Sequence, residues 1–195
     1  SFCEPTFKLL DQPNGFRNYP DTVDDLFRLS LRFVQKAPFP FFLSHCSTSL
    51  FQCAVAALPL DHREASESVS KFLLGTVDFI TAIRKSGSGG NPGAAEAEKL
   101  FADQGAKMVE GALHASLFHL PRHFVRDMAE ILFVTSCADS ERFAAWLKHA
   151  ITSIPQRGGL SAKPEQLEQF YNSVLEAKDL KSVVNLMRDL IRLYR

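Results

Sequence analysis

Residues 20–60 constrain the fold of the whole chain. They read PDTVDDLFRLSLRFVQKAP, then a short aromatic link, then SLFQCAVAALPL. Val23, Leu26, Phe27, Phe33 and Val34 recur at helical spacing, so the first half is an amphipathic helix with one apolar face. Asp21 follows a proline and is placed to accept the free N–H groups of the first turn, while Asp24 and Asp25 sit where the helix dipole favours negative charge. Arg28, Arg32 and Lys36 line another face, with Asp24 one turn before Arg28 and able to pair with it. Pro38 and Pro40 stop the helix. The second half, residues 47–58, is shorter and almost wholly apolar, so it must be covered on most sides. An outer amphipathic helix and an inner apolar one, antiparallel across a short turn, form a hairpin that cannot bury its own surface. It needs a neighbour.

The rest of the chain repeats this theme. Asp61 reads as an N-cap with Glu64 as its capping-box partner, opening a helix whose apolar face is Val69, Phe72, Leu73, Thr76, Ile80 and Ile83. Residues 94–120 form a long helix with Phe101, Met108, Val109, Ala112, Leu113 and Leu117 buried, ended by Pro121. Residues 122–136 bury Val125, Met128, Ile131 and Leu132. After an Ala138-Asp139-Ser140 cap, Phe143, Trp146, Leu147, Ala150 and Ile151 follow on the next helix, broken over residues 155–159. Pro164 starts another, with Leu167, Phe170, Tyr171 and Val174 inward. The last, residues 179–194, has the cleanest stripe: Leu180, Val183, Val184, Met187, Leu190, Ile191 and Tyr194. No segment alternates with period two, so no sheet is expected.

Paired in order, these helices make units over residues 21–59, 61–119, 121–154 and 161–195, with residues 1–12 as the tail of a preceding unit and 85–93 as a flexible link. The spacing is that of HEAT or armadillo repeats. The expected fold is therefore all-α: a solenoid of stacked antiparallel helix pairs, in one array, with first helices on the convex face and second helices on the concave one. Ser1 is not a natural start, and a longer parent chain is expected.

Charge and motifs exclude several classes. Twenty-two basic and twenty-two acidic residues cancel, which argues against nucleic acid as the main partner. Cys3, Cys46, Cys53 and Cys137 lack a CxxC pairing and read as reduced, mostly buried thiols. No apolar run is long enough to span a membrane, and no secretory signal is visible. SGSGGNPG lacks the Lys-Ser/Thr pair and the preceding strand of a phosphate loop, and reads as a solvated link. Among His45, His62, His114, His119, His123 and His149, the pair His119 and His123 has helical ligand spacing, but Pro121 breaks the helix that would align it. His45 and Cys46 are adjacent and point apart. No local enzyme motif, resident metal or cofactor is indicated.

CEPTFKLL, NGFRNYPDTVDDLFRL, RFVQKAP, LDHREA, PEQLEQFYNSV and the terminal RDLIRLYR together resemble the C-terminal region of import receptors of the importin-β (karyopherin) family, in its transportin-SR branch. The importin-thirteen branch is the runner-up, lacking the DTVDDLFRL and LDHREA wording. The resemblance runs through essentially the whole chain, strongest over residues 3–73 and the last thirty. It implies a HEAT-repeat receptor that shuttles between nucleus and cytoplasm. Such a receptor carries arginine-serine-rich splicing factors past phenylalanine-glycine pore proteins and releases them to Ran-GTP. It also places the main Ran contacts and the arginine-rich cargo helix upstream of residue 1.

Within the chain, Lys181, Arg188, Arg192 and Arg195 lie opposite the apolar stripe of the last helix and are the candidate cargo contacts. Planar guanidinium forks suit phosphoserine or carboxylate. The competing reading is a solvated face with dipole-favourable charge, a purely structural end of the solenoid. An unrelated helical enzyme or scaffold is the third hypothesis. The stripe Arg28, Arg32, Lys36 reads as a solvated convex face and Trp146 as core. The run Pro38-Phe39-Pro40-Phe41-Phe42 reads as a plug between helices, with an exposed apolar patch for a partner as the alternative.

Overall fold

Pro20, not Asp21, is the first helical residue of the long amphipathic segment, and this difference sets the frame for the unit around it. A computed structural model of the chain describes residues 4–87, 90–155 and 161–195, and no strand occurs among them. Contacts divide the chain into two compact units, Ser1–Gln104 and Gly105–Arg195.

The first unit begins with short helices α1 (Glu4–Leu10) and α2 (Gly15–Asn18). Helix α3 is Pro20–Lys36, with Tyr19 at the N-cap position and the fixed φ of Pro20 preset for the first turn. Asp21 thus lies inside the helix, where it still meets the favourable end of the dipole. Val23, Leu26, Phe27, Ser30 and Val34 are buried, whereas Phe33 is 52% exposed. Expected on the buried face, Phe33 lies at the edge of the stripe, about 20° round the helix from Leu26, and is left half uncovered there. Ser30 takes a core position because its hydroxyl bonds back to the Leu26 carbonyl at 2.7 Å.

The aromatic link is helical. Helix α3 ends at Lys36, just before Pro38, as expected; Pro38 itself occupies the first turn of α4 (Pro38–Leu43), which also contains Pro40. Phe41 and Phe42 are buried, the Phe42 ring stacked on Phe79 at 5.1 Å and the Phe41 ring edge-on to Phe72 at 6.1 Å. The run is a plug between helices. Helix α5 (Ser47–Ala57) leads to α6 (Arg63–Ser86), whose N-cap is His62 rather than Asp61: His62 Nδ1 accepts from the Ala65 amide at 3.5 Å. Gly87, at φ 67°, ends α6 in the left-handed conformation that glycine adopts freely. Within the 85–93 link, residues 88–89 lie outside the described residues.

The expected α3–α5 hairpin is not the main packing. Helix α3 lies principally against α6, and α5 packs on α6 in turn. Asp24 meets Ser68, the Phe27 and Phe72 rings sit 5.4 Å apart, and Leu31 reaches Gly75. These pairs ascend together, so α3 and α6 run parallel, as first helices of successive repeats do. Length decides it: α6 offers nearly seven turns of surface and α5 about three.

The second unit starts within α7 (Pro92–His114), which passes into a π-helical turn, Ala115–His119. A 3₁₀ turn (Arg122–Phe124) precedes α8 (Val125–Ala138), followed by α9 (Ser140–Thr152), α10 (Pro164–Glu176) and α11 (Leu180–Arg192). Asp139 caps α9 as expected, accepting from the Arg142 amide at 3.0 Å. Helix α11 packs most extensively on α8, while α9 touches both α8 and α10. The core here includes Met108, Leu113, Leu132, Phe143, Leu147 and Met187, all fully buried. Cys53 and Cys46 are half-buried and Cys137 is exposed, against the expectation of mostly buried thiols.

Candidate functional site

Helix α11 is held from its start. Asp179 Oδ1 accepts from the Ser182 amide at 2.8 Å and its Oδ2 from the Ser182 hydroxyl at 3.1 Å, and the backbone bond in particular holds this carboxyl below its usual range. Val183, Val184, Met187, Leu190 and Ile191 are buried. This one-sided burial turns Lys181, Arg188 and Arg192 outward as a single stripe at helical steps, with Arg195 just past the helix end; all four are exposed residues.

The stripe is not uniform. Arg192 Nη1 pairs with Asp189 Oδ1 at 2.8 Å with both side chains 67% exposed, a solvated pair worth at most ~1 kcal/mol and open to exchange. Arg195 turns back on the protein. Its Nη2 donates to the Ser116 carbonyl at 2.7 Å and also to the Leu120 carbonyl, so it caps the π-helical end of α7. Among the described residues, Lys181 and Arg188 have no acidic partner within ion-pair distance. The geometry therefore leaves two open cations and one exchangeable arginine, and makes the fourth residue a structural cap.

Behind the π turn, Ser153 Oγ donates to Glu110 Oε1 at 2.8 Å and lies 3.3 Å from His114 Nε2. The His114 ring meets Phe118 edge-on, and Phe118 meets Tyr194 the same way at 5.7 Å. Burial pushes the Tyr194 hydroxyl above its usual range. Nothing in the sequence pointed to this cluster or to the Arg195 cap, because their contacts, apart from His114–Phe118, join residues 39 to 79 positions apart. A groove of about 460 Å³ between α9 and α10 has Ile151, Leu167 and Tyr171 on its floor and Lys148 and Glu168 at its rim; no histidine or cysteine lines it. His119 and His123 are both exposed. Among the described residues no His/Cys/Asp/Glu group is placed to hold a metal ion, and no helix is long and apolar enough to cross a membrane. Trp146 is half-buried, its ring over Gly105.

No family model matches the chain. It is 20% identical over 171 residues to Transportin MOS14 of Arabidopsis thaliana, a match covering 88% of this chain and 17% of the relative. The solved structure Importin13 cytosolic state matches with a TM-score of 0.79 at 16% identity, over 98% of this chain and 21% of that one. The fold is an importin's. The all-α class of stacked helix pairs, an α-solenoid, is thereby established, and both proteins are named for transport, not catalysis. The chain spans about a fifth of the length of these two proteins.

Proposed function

We propose that this chain is part of a nuclear import receptor of the importin-β (karyopherin) type. Support comes from one observation above all: similarity to a transportin over 88% of the chain, joined to an importin's fold over 98%. The finer reading is a receptor of the transportin-SR kind, shuttling between nucleus and cytoplasm. It carries arginine-serine-rich cargo past phenylalanine-glycine pore proteins and releases it to Ran-GTP. The quoted sequence strings, from PDTVDDLFRL to RDLIRLYR, favour this branch over the importin-thirteen one. In this reading residues 21–59, 61–119, 121–154 and 161–195 are four repeats, and Lys181, Arg188 and Arg192 meet phosphoserines through charge-assisted hydrogen bonds.

The test is a calorimetric titration with an arginine-serine repeat peptide, phosphorylated and unphosphorylated, at two salt concentrations. Binding of the phosphorylated peptide that weakens with salt, and is lost in Arg188→Glu plus Arg192→Glu, supports a cargo contact on α11. Binding unchanged by the double charge reversal removes α11 from the reading. The inward turn of Arg195 and the Arg192–Asp189 pair favour a second reading, in which this unit is a structural end. That reading holds if neither peptide binds.

A further inference from the structure

The parallel packing of α3 on α6 leaves a groove of about 410 Å³ along their exposed seam. Its walls are charged in order. Glu64, Glu67 and Asp24 line the end near the helix starts, and Lys71, Arg28 and Arg32 follow toward the helix ends. The Asp24–Ser68 bond, which fixes the register, sits between the two groups. Four of these charges are satisfied in two pairs, each within its own helix: Arg28 Nη1 lies 3.3 Å from Asp24 Oδ2 on α3, and Lys71 Nζ 2.6 Å from Glu67 Oε1 on α6. Arg32, at the far end, has no acidic partner within ion-pair distance among the described residues. Glu64, at the near end, has His62, at 3.6 Å, as its one ion-pair neighbour among the described residues.

We propose that this groove binds an extended peptide segment bearing a basic cluster and an acidic or phosphorylated cluster, the base over Glu64 and the acid over Arg32. Asp24 opposite Ser68 puts Glu64 level with Pro20, and Arg32 stands twelve residues further along α3. At ~1.5 Å of rise per residue the two ends are about 18 Å apart. An extended chain covers that in about five to six residues at ~3.3 Å each. The groove thus selects charge spacing as well as sign. Local pairs such as Glu67–Lys71 are exposed and weak, so a ligand exchanges them at little cost. This inference concerns the first unit alone and stands apart from the α11 stripe.

The experiment titrates the 195-residue chain with synthetic peptides on a Ser/Gly spacer. One peptide carries two arginines and two glutamates with centres about five residues apart, prepared in both chain directions. The controls are the same four charges set adjacent, an all-glutamate peptide and an all-arginine peptide. The expected result is salt-sensitive binding of the spaced peptide in at least one direction, above all three controls. Arg32→Glu and Glu64→Arg should each weaken it roughly tenfold or more, while Lys107→Glu, at an exposed position outside both candidate sites, leaves it unchanged. Both substituted positions are exposed, and Arg32→Gln serves where charge reversal disturbs folding. No binding, equal binding of the adjacent-charge or all-glutamate peptide, or indifference to both substitutions overturns the proposal.

Discussion

Gly105 and Trp146 provide the sharpest test of the packing in the second unit. A Cβ built at Gly105 would lie 2.9 Å from Trp146 Cζ2 and closer still to Cη2 and Cζ3, well inside van der Waals contact. Two effects oppose each other in Gly105→Ala. Alanine gains up to about 1 kcal/mol of helix propensity within α7. Overpacking against a rigid ring costs about 1–3 kcal/mol. The ring carries three of the close contacts and α7 backs it, so the clash should win, with a net loss of about 1–2 kcal/mol. For a chain of this size that lowers Tm by about 2–8 °C. Thermal unfolding followed by helical circular dichroism measures it. Emission from the chain's single tryptophan reports displacement of the ring in the folded state. The control is Gly105→Ala in a Trp146→Leu background, where the clash is gone and alanine should stabilise by about 1 kcal/mol. If Gly105→Ala is no more harmful with Trp146 present than with leucine there, the steric account is wrong.

Two further outcomes follow from the same structure. Arg195→Ala leaves the Ser116 and Leu120 carbonyls without their guanidinium donor, and should destabilise the second unit by about 1–2 kcal/mol with faster amide exchange over residues 115–120, whereas Arg188→Ala should not. Burial pushes the Cys53 thiol up to about 12, so at mildly alkaline pH its alkylation should lag far behind that of exposed Cys137 and catch up in denaturant. The sign of the linkage follows: the unfolded chain releases this proton near the ordinary 9.0 while the folded chain keeps it. The stability Cys53 contributes is therefore full below about pH 9 and is lost as pH rises toward 12. Cys53→Ala should flatten that alkaline limb of a stability–pH curve.

Local chemistry was legible in the chain without its fold. Helical periodicity placed the buried stripes of α8 and α11, the Asp139 cap and the Asp24–Arg28 pair, because all of these are decided within one or two turns. Cap positions slipped where other residues competed: Tyr19 takes the N-cap of α3 two residues before Asp21, with Pro20 in the first turn, and His62 takes that of α6 one residue after Asp61. Phe33 misled because an apolar residue beside a stripe looks like part of it until a neighbour fails to cover it.

What the fold alone decided involves partners far apart in sequence. Whether α3 packs on α5 or on α6 depends on how much surface each offers, which no local pattern states. The fate of four similar cations on α11 divided the same way. Lys181 and Arg188 stay open, Arg192 meets a neighbour three residues off, and Arg195 is drawn to carbonyls 75 and 79 residues away. Periodicity tells which face of a helix is wet. Which charges on that face are left over for a ligand is set only when the chain has closed on itself and satisfied its own orphaned carbonyls.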